Sequence, residues 1–311
     1  MTDDLILNYS SVPSEVSWAI LRSIWTASKY LIGSTSKTIP YELVFALTDA
    51  LKDWDSRDNL ITTALIDECN FYFQGIDPNF KILVKSYLSL EITHDLIQIA
   101  LPRIYIHKPL YSIPLYHELG HFIDFEKRIT HTSFLLNPLT VAIPPKDRNI
   151  EIAYRKEFFA DLFSASYTGG ANIIFLNEFA PNQPASNSHP ATSQRIEVLE
   201  AFLQGKHHET IDIFQSALNK LGLPLLSKRF KLPDLYYCYN NIRPYCIKTK
   251  EELHGILEAG WNYQLTLKAN SDSALNDITD EFEPARIIND LTEKSIRNMI
   301  LNEKWNNGTV I

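Results

Sequence analysis

Apolar residues recur at three- and four-residue intervals across 14 to 33, 39 to 54 and 59 to 75, punctuated by Pro13, Pro40 and the stretch DWDSRDN. That spacing predicts three helices in an N-terminal helical region. A further apolar segment covers Asn79 to Leu90. The pattern then changes at 95 to 109, DLIQIALPRIYIHKP, where Ile97, Ile99 and Leu101 alternate and Ile104, Tyr105 and Ile106 are β-formers on the far side of Pro102. One or two strands are expected there, including an edge to which an extended peptide could add as a further strand.

Two strong helices follow. The first spans 112 to 128, with Ser112 as its N-cap, Pro114 in the first turn, and Lys127 and Arg128 at the end that favours cations. Residues 131 to 148 carry three prolines and an apolar patch, read as a loop or a short strand pair. The second helix runs from about Asn149 to Tyr167 and stops at Gly169-Gly170. The loop APNQPASNSHP, 180 to 190, leads into a helix at 190 to 204. Helical spacing returns at 208 to 221, 249 to 269 and 283 to 304, around an irregular aromatic stretch at 232 to 246. The expected fold is mainly α (α+β): a core with a small β-sheet at 93 to 205, flanked by helical regions at 1 to 92 and 206 to 311.

Composition narrows the partners. The 311 residues include only 10 glycines, few for an all-β chain rich in tight turns. A net charge of -8 and the absence of any basic run argue against nucleic acid. Asp3 and Asp4 stand where a signal peptide needs positive charge, and no stretch reaches the roughly 18 apolar residues of a membrane span, so a cytoplasmic location without membrane contact is expected. Three cysteines, Cys69, Cys238 and Cys246, are too few for a disulfide framework.

The chemistry is concentrated in LYHELGHFID, 115 to 124. On a helix, His117 and His121 lie one turn apart on one face and can both direct a ring nitrogen at a single ion. Glu118 stands beside that ion, where a general base must be to take a proton from metal-activated water. Gly120, costly inside a helix, implies that something approaches the backbone closely. A catalytic zinc needs a third protein ligand and an open position. The metzincin arrangement is absent, because Asp124 and Lys127 occupy the positions that would carry glycine and histidine. In RKEFFADLFSA, Tyr154, Glu157, Asp161, Ser164 and Thr168 form a polar stripe on an otherwise apolar helix, and an inward polar stripe needs partners. Glu157 as ligand, with Asp161 as acceptor for the second N–H of a ligand histidine, would satisfy it.

HELGH followed by EFFAD resembles the gluzincin metallopeptidases, and Glu-x-x-Ala-Asp resembles in particular the CaaX-prenyl-peptidase-like group and its soluble relatives. HPATSQRI, 189 to 196, matches the His-Pro followed by arginine and an aliphatic residue that this group tends to carry. The resemblance covers about 117 to 200. It implies a zincin-like catalytic core in which His117, His121 and Glu157 hold Zn2+, Glu118 is the base, and His189 or Arg195 sits near the active centre. The membrane-spanning helices of that group's membrane members are absent, so a lipidated or membrane-embedded substrate is not implied.

The expected activity is therefore that of a zinc-dependent endopeptidase acting on a protein or peptide substrate. The helices at 14 to 75 or the loop at 131 to 148 are candidates for an autoinhibitory cover released by a regulatory protein partner. The alternative is a regulatory binding module with a structural or sensory metal and no proteolysis, which a fourth protein ligand would favour.

Overall fold

The computed structural model describes residues 11–34, 41–57, 59–67, 71–75, 78–92, 95–137, 140, 143–269, 272–280, 282–306 and 308. In chain order these form α1 (Ser14–Ser34), α2 (Tyr41–Lys52), β1 (Asn59–Ile66), β2 (Tyr72–Gly75), α3 (Pro78–Leu88), β3 (Asp95–Pro102), α4 (Ile113–Lys127), α5 (Ile129–Leu136), α6 (Arg148–Thr168), α7 (Ala171–Phe179), α8 (Thr192–Gln204), α9 (Glu209–Leu221), α10 (Tyr236–Asn240), α11 (Lys250–Thr266) and α12 (Glu283–Asn306), with short 3-10 turns between some of them. The chain is mainly helical with one small sheet, an α+β arrangement dominated by α. Among the described residues no helix is long and apolar enough to cross a membrane.

The sheet has the order β1-β3-β2, with β1 parallel and β2 antiparallel to β3. Its central strand is β3, in which Ile97, Gln98, Ile99, Ala100 and Leu101 are all buried, so neighbouring residues that point to opposite faces are both covered. This corrects two expectations. The segment 59 to 75 is not helical but supplies β1 and β2; apolar runs such as NLITTALI cannot be told from helix by spacing alone, and their β-branched Ile61, Thr62, Thr63 and Ile66 favour the pleated surface. The strand within 95 to 109 is central and has no free edge, so strand addition falls to β1 or β2. Beyond Pro102, the β-formers at 104 to 106 enter a 3-10 turn, Arg103–Tyr105.

Of the segment 131 to 148, read as loop or strand pair, the first part is helical and belongs to α5. Arg128 adopts a left-handed conformation at φ 56°, ending α4 and starting α5 in one step. The Asp124 carboxylate accepts the Thr130 backbone N–H at 2.6 Å and so ties the two helices at the bend. Ser112 does occupy the N-cap position of α4, but its hydroxyl donates back to the Pro109 carbonyl at 2.5 Å instead of capping.

One hydrophobic core extends from α2 through the sheet to α12 and contains Trp54, Leu119, Phe159, Phe163, Trp261 and Met299. A satellite core of Val12, Ile20, Phe80, Val84 and Leu88 joins α1 to α3. The helix pair in closest contact is α4 and α6. Their approach depends on Gly120: a Cβ there would lie 2.9 Å from the Ala160 Cα and 3.1 Å from the Phe163 Cβ. The backbone approach that Gly120 implied is that of α6 itself.

Candidate metal centre

Because α4 and α6 run so close, the polar face of each meets the other. His117 and His121 present their rings edge to face, with centroids 4.6 Å apart. Glu157 of α6 lies between them, its Oε2 3.4 Å from His117 Nε2 and its Oε1 3.4 Å from His121 Nε2. The donor atoms of His117, His121 and Glu157 lie within 4.8 Å of one another, a group that could hold one metal ion.

Asp161, one turn further along α6, faces the other ring nitrogen of His117: Oδ1 is 2.9 Å from Nδ1. A carboxylate there fixes the tautomer that leaves Nε2 free for a metal and holds the ring plane. Asp161 is itself held by Arg195 of α8, whose Nε and Nη2 each donate at 2.6 Å to its two oxygens. The Arg195 guanidinium is thereby committed to Asp161, with Nη2 3.9 Å from Glu157 Oε2. The backbone carbonyl of Asp161 also accepts from Asn172 Nδ2 at 3.2 Å.

His189 lies outside the mutual donor group, with Nε2 3.7 Å from Glu157 Oε1 and 56% of its side chain exposed. Its loop is built from its own contacts. Ser186 Oγ accepts the His189 backbone N–H at 3.0 Å, Ser188 Oγ lies 2.9 Å from His189 Nδ1, and Tyr154 of α6 donates to the Ser186 carbonyl at 2.8 Å. The polar stripe of α6 is thus satisfied along its length, since Thr168 Oγ1 donates to the Ser164 carbonyl at 2.9 Å.

Glu118 is half-buried beside the donor group and belongs to none of its pairs. Burial pushes its carboxyl up, while His117, His121 and a hydrogen bond from the Phe73 backbone work the other way. Phe73 sits on β2, so one strand edge reaches the candidate base. Sequence reasoning missed both Phe73 and Asn172: the first because β2 was read as helix, the second because nothing local marks an asparagine that serves a carbonyl one helix away.

Burial disfavours charge on Glu157 and Asp161, yet both carboxyls are held below their usual range, Glu157 by His117 and His121 and Asp161 by Arg195 and His117. Burial likewise opposes a charge on His117, but its hydrogen bonds to Asp161 and Glu157 outweigh that and push it up to about 10. The group comprises the carboxylates Glu118, Glu157 and Asp161 against the single guanidinium of Arg195, with the histidines neutral as ligands must be. One divalent cation brings it to neutrality, and the His/His/carboxylate set suits zinc among other first-row ions.

Without metal, the raised His117 contributes stability fully below the ordinary imidazole value of about 6.5, and that contribution is lost as pH rises through about 10. Glu157 and Asp161 contribute above the usual carboxylate range and lose that contribution as acid protonates them. Metal must displace the His117 proton, so uptake at pH 7 to 9 is expected to release about one proton per ion, and affinity to rise about tenfold per pH unit. Calorimetry in buffers of different ionisation enthalpy measures this; zero release would show that His117 is already neutral.

No family model matches the chain, and no curated protein or solved structure matches it either.

Proposed function

We propose that this protein is a zinc-dependent endopeptidase, similar in its HELGH and EFFAD elements to gluzincins of the CaaX-prenyl-peptidase-like group. The observation that carries the reading is the division of labour on two helices: His117, His121 and Glu157 converge their donor atoms, Asp161 orients one of them, and Glu118 stands beside the group without joining it. A bound zinc ion would supply Lewis acidity, polarising a carbonyl and bringing the pKa of water toward about 7.

Glu118 then takes a proton from the attacking water and delivers it to the leaving amine. Burial, which makes the Glu118 carboxyl more basic than an exposed one, suits it to both steps. His189, exposed and with Nε2 3.7 Å from Glu157 Oε1, would donate toward charge that builds on the scissile carbonyl oxygen. Arg195 is assigned a positioning role, acting on His117 through Asp161. Among the described residues no fourth protein donor completes the metal group, which favours an open position over the closed shell of a structural site.

The test is a peptide library incubated with the purified chain. Cleavage is expected with one equivalent of zinc, loss of cleavage on chelation, and its return when zinc is restored. A cleavage pattern indifferent to chelation would sink the metallopeptidase reading; a metal-loaded chain that cuts nothing would favour the regulatory binding module.

A further inference from the structure

A cavity of about 590 Å³ opens directly beside His121. Its apolar walls are Phe73, Ile152 and Phe125, the last with 64% of its surface exposed. Phe73 packs edge to face on Phe122 at 6.0 Å, so the wall nearest the metal group is firmly seated. The volume exceeds that of any one side chain and suits a short segment of chain.

Arg128 at the bend between α4 and α5, His131 of α5 and Lys156 of α6 line the same cavity. All three are exposed, and among the described residues no carboxylate forms an ion pair with Arg128 or Lys156. On a chain of net charge -8, the positive charge of Arg128 and Lys156 at this cavity is opposite in sign to the whole. One carboxyl, Asp124, also lines the cavity; it is buried, occupied by the Thr130 N–H, and burial pushes it toward the neutral form, with Lys156 opposing.

We propose that this cavity binds an acidic peptide segment, with an apolar side chain against Phe73, Phe125 and Ile152 and a carboxylate facing Arg128 and Lys156. The identity of the ligand as a peptide rests on the endopeptidase reading; its charge and apolar character rest on the cavity. His121 joins the two, lining the cavity with one face while its Nε2 points to Glu157. The carboxylate is that of an Asp or Glu side chain or of a chain terminus, sources that share one chemistry and separate in the test.

The experiment is fluorescence anisotropy of labelled peptides on zinc-loaded Glu118→Gln protein, which retains bound substrate. Three peptides share one phenylalanine and the residues before it: one continues with two glutamates and is amidated, one continues with two lysines and is amidated, and one ends at phenylalanine with a free carboxylate. The acidic amidated peptide is expected to bind about tenfold tighter than the basic one, as two partly desolvated charge pairs would give, with the preference weakening in salt. Lys156→Glu combined with Arg128→Asn, which tolerates the left-handed backbone at 128, is expected to abolish that preference.

Tight binding confined to the free-carboxylate peptide would assign the cations to a chain terminus. Equal binding of acidic and basic peptides, a preference untouched by the double variant, or no binding at all would overturn the proposal. The two readings fail separately. Zinc-dependent cleavage without charge preference removes the cavity assignment and leaves the peptidase; charge-dependent binding of peptides that the wild-type chain never cuts removes the peptidase and leaves the cavity.

Discussion

Glu118→Gln is expected to keep one zinc ion per chain and to lose about 10²- to 10⁴-fold in turnover, the range that follows removal of a general base. Glutamine has nearly the volume of glutamate and retains an oxygen to accept the hydrogen bond from the Phe73 backbone, so the fold around it has no reason to move. The donor atoms of His117, His121 and Glu157 are untouched. Only the capacity to accept and return a proton disappears. Metal content by mass spectrometry and turnover on a peptide from the library read the two effects separately. A variant that binds zinc and still cleaves at the wild-type rate would show that another group, His189 being the nearest alternative, moves the proton.

A second large effect is expected from Gly120→Val. Alanine in place of an interior helical glycine ordinarily gains about 1 kcal/mol in propensity. Here even a methyl group would press on the Ala160 backbone at 2.9 Å, and backbone cannot swing away as a side chain can. Valine adds two more carbons to that clash. Overpacking of this kind typically costs 1–3 kcal/mol, and relief comes only by separating α4 from α6. That separation draws His117 and His121 away from Glu157, so stability and zinc affinity should fall together, the affinity at least as far as the 10- to 100-fold seen when an outer-shell partner is lost. Gly120→Ala should lose stability too, reversing the usual sign. Denaturant melts and zinc titrations on both variants check this; unchanged stability in the alanine form would mean that the helices are not locked at this contact.

The parts of the fold that were legible in the sequence are those whose signals are local. The pair α4 and α6 could be placed from Pro114, from Gly169 and from the polar stripe Glu157–Asp161, each a consequence of helix geometry acting over a few residues. The convergence of two histidines and a glutamate followed from the same spacing, because His117 and His121 lie one turn apart on one helix, and Glu157 and Asp161 one turn apart on the other. The sheet was less legible. In β1 the adjacent Ile61 and Thr62 are both buried while the apolar Leu60 is exposed, so the run lacks the alternation by which a strand is recognised. Two features of the site were not legible at all. Nothing near Arg195 in sequence says that its guanidinium closes on Asp161, and the cavity beside His121 is lined by Arg128, whose left-handed backbone is a conformation that arginine rarely signals.

The ion pairs around Asp161 have a consequence for the life of the protein. His117, Glu157, Asp161 and Arg195 form one connected set of salt bridges, in which His117 is raised by its two carboxylate partners. A zinc finger is unfolded without its ion, whereas the residues of this group also have charged partners of their own on α4, α6 and α8 and stand on an extended hydrophobic core. If the group holds zinc as proposed, folding and metal loading would be separate events, and the loaded fraction of chains would follow the zinc supply with no synthesis and no degradation in between.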